Sequence, residues 1–182
     1  MALTATIYRF AIDVSNVDRG VYEKLDLRVA CHPSETLHFL LTRLIAYSLF
    51  YEEGMAFSKG GISSTDEPAI TVRGLDGTLR VIVEIGSPSA ERVHKAMKAA
   101  DRVVVMTQHD PELLVREFQR ARIHRVDELE VYSLGKDFLN DLAGTLDRQN
   151  DWQLVYSDGE LYVTSRGKDA RTSVARHTLP SE

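Results

Sequence analysis

Two carboxylates and the strand they adjoin carry the chemistry this sequence offers. In "VIVEIGSPSAERVHKA" (81–96), Val81, Ile82, Val83 and Ile85 form a continuous apolar run, the pattern of a strand buried on both faces. Glu84 interrupts that run just before Gly86, Ser87 and Pro88 turn the chain into a helix. A charge in such a strand is costly unless something pairs with it. The segment "AITVRGLDGTLRVIVEIG" (69–86) reads as a hairpin turning at Asp76-Gly77, which sets Leu75 opposite Thr78. The same register puts Ala69 opposite Glu84 and Asp66 near Ser87, so Asp66 and Glu67 of "TDEP" approach the strand end that carries Glu84. Two carboxylates there suit a hard divalent cation, Mg²⁺ or Mn²⁺, which takes oxygen ligands and offsets their repulsion. Alternatively, Glu84 faces a solvated groove or pairs with an arginine, and Asp66 is a turn or cap residue.

Other constellations are weaker. Cys31-His32 resembles half of a zinc site, but there is no second cysteine, and a strand end followed by a helix cap accounts for both residues. His38 and His94 lie on predicted helices at no ligand spacing and read as surface or rim residues. P-loop, dinucleotide and nucleophile-elbow fingerprints are absent, and "FSKGGISS" (57–64) reads as a flexible loop.

The elements that must position these residues follow from periodicity. "LTATIYRFAIDVS" (3–15) and "GVYEKLDLRVA" (20–30) alternate apolar and polar residues around a turn, which predicts a long hairpin with one wet face. "HPSETLHFLLTRLIAYSLFY" (32–51) predicts a helix, with Pro33 at its first position and Glu35 in its first turn. The stretch 52–67 has no period and is expected to be a loop. A helix over 88–100 follows the second hairpin, then a buried strand (102–107) and a helix (110–121) capped by Asp110. A strand (129–134), a short helix (136–146) and a third hairpin (151–165) around Asp158-Gly159 complete the pattern. The residues from 166 onward are polar and read as a frayed tail. Strands alternating with helices predict an α/β or α+β fold: a mixed sheet, helices 33–51 and 88–100 packed on its 69–85 hairpin, and further hairpins at either end.

Composition limits the function classes. At 182 residues, 43% hydrophobic and 27% charged, the chain has an ordinary globular balance and is read as one domain. Its net charge of −5 supplies no overall attraction for nucleic acid. No transmembrane span or signal peptide is evident, and the single Cys31 suits a reducing compartment, so a cytoplasmic monomer without a membrane partner is expected.

The stretches "MALTATIY", "HPSET", "FSKG", "TDEP", "VEIGSPSAERVHKA" and "DWQL" run in order from residue 1 to about 155, and with them the sequence resembles the YaeQ family of small bacterial proteins. That resemblance implies a variant of the PD-(D/E)XK nuclease-like, or restriction-endonuclease-like, fold over a single domain of 182 residues. Its parts would be an N-terminal hairpin (1–30), a nuclease-like core (32–107), C-terminal helices and hairpin (108–165) and a polar tail (166–182). By position, Asp66 would be the first acid, Glu84 the second and Glu35 the helical one. Asp66 and Glu84 would hold Mg²⁺ or Mn²⁺ for hydrolysis of a nucleic-acid phosphodiester. The expected E-x-K triplet is here Glu84-Ile85-Gly86, and Ala69 stands where a PD motif has its aspartate. The missing lysine makes Lys95 and Arg92, on the next helix, candidates for steadying the transition state. The residues themselves also allow Lys95 an i,i+4 ion pair with Glu91, and Glu35 a macrodipole role at a helix start. The alternative function is a non-catalytic nucleic-acid- or protein-binding module that keeps the fold, with a regulatory role.

Overall fold

The computed structural model describes residues 4–59 and 67–180. In chain order the elements begin with β1 (Thr6–Asn16), β2 (Val21–Cys31), α1 (Leu37–Leu49), β3 (Met55–Phe57), β4 (Ile70–Arg73) and β5 (Leu79–Ile85). Then come α2 (Ala90–Ala99), β6 (Arg102–Thr107), α3 (Pro111–Arg120), β7 (Glu130–Ser133) and α4 (Lys136–Thr145). The chain ends with β8 (Gln149–Ser157), β9 (Glu160–Ser165), β10 (Lys168–Ser173) and β11 (Ala175–His177). The fold is mixed α+β with two mixed sheets, and it clusters into two compact units.

The first unit joins Met1–Tyr51 to Leu134–Val174. Its five-stranded sheet has the order β10-β9-β8-β1-β2. β1 and β2 pair antiparallel from Thr6↔Cys31 to Asn16↔Val21, and β8 runs parallel to β1 from Arg9↔Gln149 to Asn16↔Tyr156. Period-two alternation puts Phe10, Ile12 and Val14 beside Leu25, Leu27 and Val29 on one buried face. Trp152, Leu154, Leu161 and Val163 extend that face, and Phe10 meets Trp152 edge-on with ring centroids 4.9 Å apart. Helix α1 packs against β1, β2 and α4.

The second unit joins Glu52–Ser133 to Ala175–Glu182. Its six-stranded sheet has the order β11-β7-β6-β5-β4-β3, with β5, β6 and β7 parallel and the remaining pairs antiparallel. One core cluster joins Ile82, Val103, Val105 and Val131 of the sheet to Val93 and Met97 of α2 and Leu114 and Phe118 of α3.

Several expectations are corrected. Helix α1 starts at Leu37, because Thr36 caps it by accepting the Phe39 N–H at 3.1 Å. Pro33 and Glu35 therefore precede the helix, in a turn closed by Glu35 N–H donating to His32 O at 2.8 Å. The same helix clusters with the first unit, where it packs on β1, β2 and α4, whereas α2 clusters with the second hairpin. Part of the expected 52–67 loop is β3, an edge strand paired with β4. The expected frayed tail forms β10 and β11, anchored by buried Ala170, Val174 and Leu179. The second hairpin turns over Gly74–Gly77 with a bulge at Val72/Arg73. That bulge restores the expected register beyond it, with Ile70 opposite Val83.

Candidate functional site

Glu84 lies next to last in β5, on the face that Ile82 presents to α2. Parallel pairing with Val105 of β6 buries it to 4% exposure. The sequence then leaves the strand through Gly86, whose φ of +81° lies in the left-handed region that side-chain-bearing residues disfavour. Ser89 caps α2 by accepting the Arg92 N–H at 3.2 Å. This cap sets the phase of α2 so that Arg92 faces β5. Its Nε lies 2.9 Å from Glu84 Oε1, and its Nη2 donates to Glu67 O at 2.5 Å. Burial pushes the Glu84 carboxyl above its ordinary pKa, and the Arg92 charge and hydrogen bond partly oppose that rise.

Beside this pair is a cleft of about 430 Å³ between β5 and α2. Pro68, Leu79, Ile82, Ala96 and Ala99 give it apolar walls, and Glu84, Ser89, Glu91, Arg92 and Lys95 give it polar ones. Among the described lining residues the charged groups balance, two acids against two bases.

The structure brings Glu84 and Arg92 together, with Lys95 on the cleft rim. Lys95 pairs with Glu91 at 2.8 Å, and both side chains are largely exposed. Where the strand triplet would carry a lysine, Gly86 holds a left-handed φ that a lysine would adopt only with strain. Glu35 belongs to the first unit, where its carboxylate lies 3.0 Å from Arg43 and accepts the His32 N–H at 3.2 Å. Burial raises its pKa, with Arg43 opposing. Asp66 falls outside the described residues.

Among the described residues, no group of three or more His, Cys, Asp or Glu could hold a metal ion. Glu84 is the described carboxylate of the expected pair, and a cation there would compete with the guanidinium 2.9 Å away. These described residues do not by themselves fit a divalent cation. Sequence reasoning missed the apolar cleft walls, Leu79 and Ala99 above all. Their only signal is that Ala96 and Ala99, at i and i+3, leave one flank of α2 without bulk.

The family model described as YaeQ protein matches residues 1–174 of this chain. The chain belongs to the YaeQ family. YaeQ of Escherichia coli (strain K12) is 26% identical over 182 residues, and that of Salmonella typhi 29%, each alignment spanning both chains completely. A crystal structure of YaeQ from Pseudomonas syringae matches with a TM-score of 0.85 at 29% identity, over 98% of this chain and 97% of that one. YaeQ from Xanthomonas axonopodis pv. citri matches with a TM-score of 0.88 at 28% identity, over 97% and 100% of the two chains. The YaeQ match takes in both units and every stretch on which the resemblance rested. No helix among the described residues is long and apolar enough to cross a membrane.

Proposed function

We propose that this YaeQ chain is a binding module without turnover, and that its cleft between β5 and α2 takes a segment of a partner protein. The observation that carries this is the bond between Arg92 and Glu84 at 2.9 Å, which occupies the carboxylate a catalytic metal would need. The cleft also suits a protein segment better than a phosphate chain. Among the described residues its charges cancel and half of its lining is apolar, whereas nucleic-acid affinity depends on unbalanced positive charge.

Purified protein incubated with single- and double-stranded DNA and RNA, with and without Mg²⁺ or Mn²⁺, should leave every substrate intact. A peptide array should show segments that bind the parent chain and not Ala99→Trp, whose indole fills the cleft from its rim. Metal-dependent cleavage that disappears in Glu84→Gln would overturn this proposal. It would favour metal-assisted phosphodiester hydrolysis on a PD-(D/E)XK-type core, with Asp66 and Glu84 as the acids. That second function draws support from one specific observation: the register at Ile70↔Val83 points the chain preceding Ala69 toward the strand end where Glu84 sits.

A further inference from the structure

The five-stranded sheet ends on β2, a strand of 11 residues with β1 on one side only. Which of its backbone groups look outward follows from the hydrogen bonding of β1. Arg9 N–H donates to Arg148 O at 2.9 Å, toward the β8 side. Backbone groups of successive strand residues point to opposite sides, so Phe10, Ile12 and Val14 bond toward β2. Their partners there are Leu27, Leu25 and Glu23. The N–H and C=O of Tyr22, Lys24, Asp26, Arg28 and Ala30 are thus aimed away from the sheet. Ala30 O accepts from Arg43 Nη2 at 2.9 Å. Tyr22, Lys24, Asp26 and Arg28 have no outward backbone partner among the described residues.

Edge strands are usually blunted by a proline, a bulge or shortness. β2 has none of these: its pairing with β1 runs without a shift over its whole length, and it contains neither Pro nor Gly. Of the usual devices it carries only charged side chains, Glu23, Lys24, Asp26 and Arg28. Its side chains are instead self-complementary. When β2 is laid antiparallel on a copy of itself with Leu25 at the two-fold axis, Lys24 faces Asp26 of the copy and Tyr22 faces Arg28. Each pair occurs twice. Both are favourable across strands, as an ion pair and a cation–π contact. On the other face Leu25 meets the copy's Leu25, Val21 meets Val29, and Glu23 meets Leu27. Moving the axis to Asp26 sets Asp26 against itself and Lys24 against Arg28; moving it to Lys24 sets Lys24 against itself. An axis at Leu27 would require Ala30, whose carbonyl Arg43 already holds.

We infer that β2 is an interface for a second copy of this chain, pairing antiparallel about Leu25 and joining two five-stranded sheets into one of ten strands. This departs from the monomer expected from the sequence. A single pair of strand edges covers less than the roughly 1,200 Å² of a stable complex, so the dimer is weak and concentration-dependent.

Sedimentation equilibrium on the full chain tests it. The parent should pass from monomer to dimer as concentration approaches millimolar. Asp26→Lys places lysines opposite each other twice while facing only Ala11 in its own hairpin, and should weaken dimerisation by about tenfold or more. Lys24→Asp should do the same, with circular dichroism confirming that it folds, because it also faces Asp13. The double variant Lys24→Asp/Asp26→Lys restores both cross-copy pairs and should recover the parent's dimer. A parent chain that stays monomeric to millimolar concentration overturns the inference and leaves the edge to an extended peptide from another protein. A dimer that Asp26→Lys leaves unchanged, or that the double variant fails to restore, places the contact elsewhere.

Discussion

At the scale of single residues, the Glu84–Arg92 pair sets the behaviour of the candidate site. Arg92→Ala leaves a carboxylate that is 4% exposed without its counter-charge. Unpairing a buried ion costs on the order of 3–5 kcal/mol, and the partial exposure of Arg92 places this case near the lower figure. The pH dependence follows from proton linkage. Burial raises the folded-state pKa of Glu84, and removing Arg92 takes away the charge that opposes the rise. The folded variant therefore holds its proton at pH values where the unfolded chain has lost it, and its stability falls as pH increases through that window. Urea titrations should find the deficit of Arg92→Ala smaller near about pH 5 than near about pH 8. Lys95→Ala, by contrast, removes an exposed ion pair with Glu91, a contact that contributes little to stability, and should move the unfolding midpoint far less than Arg92→Ala does. Gly86→Lys tests the missing lysine directly. It restores the E-x-K spelling at a φ of +81°, so it should destabilise the fold by about 1–2 kcal/mol or more and confer no hydrolysis.

At the scale of elements, the C-terminal strand matters more than its composition suggests. Leu179 follows β11 and is 2% exposed within the cluster under α2 and α3. Leu179→Ala should cost about 2–5 kcal/mol, measured by chemical denaturation, where a frayed tail would show no effect. The residues that made elements legible explain those that were missed. The alternation of Phe10, Ile12 and Val14 and the runs Val81–Val83 and Val103–Met106 reveal strands because each puts apolar groups on a buried face. β10 and β11 are short and polar and β3 spans only Met55–Phe57, so pairing with a neighbouring strand decides them rather than their own pattern. Pro33 and Glu35 pointed to an earlier start for α1, but the turn through His32 and Glu35 and the cap from Thr36 move that start to Leu37. The site was legible in the same measure. Glu84 stood out as a charge in an apolar strand, and an arginine partner was one of its three readings, beside a metal ligand and a solvated groove. Its identity as Arg92 depends on how β5 approaches α2, which no local pattern encodes.

At the scale of the whole molecule, long-range pairing dominates: β1 finds β8 from the opposite end of the chain, and β11 returns to β7 after β8–β10 have formed the other sheet. The single thiol reports on the first unit. Cys31 ends β2 at 8% exposure, and burial, with the nearby Glu35 charge, pushes its pKa up. Both effects suppress thiolate, so native protein should react slowly with a thiol reagent at neutral pH. Labelling should accelerate when denaturant opens the β1–β2 sheet, and rapid labelling of folded protein would contradict the burial. The order of the chain also bears on its synthesis. The β1–β2 hairpin leaves the ribosome with Phe10, Ile12, Val14, Leu25, Leu27 and Val29 on one side, while Trp152 and Leu154, which complete that layer, are translated more than a hundred residues later. At roughly 5–20 residues per second the nascent hairpin waits on the order of ten seconds for the strand that pairs with β1. During that interval the segment Glu52–Ser133, which supplies five of the six strands of the other sheet, emerges and can begin to pair.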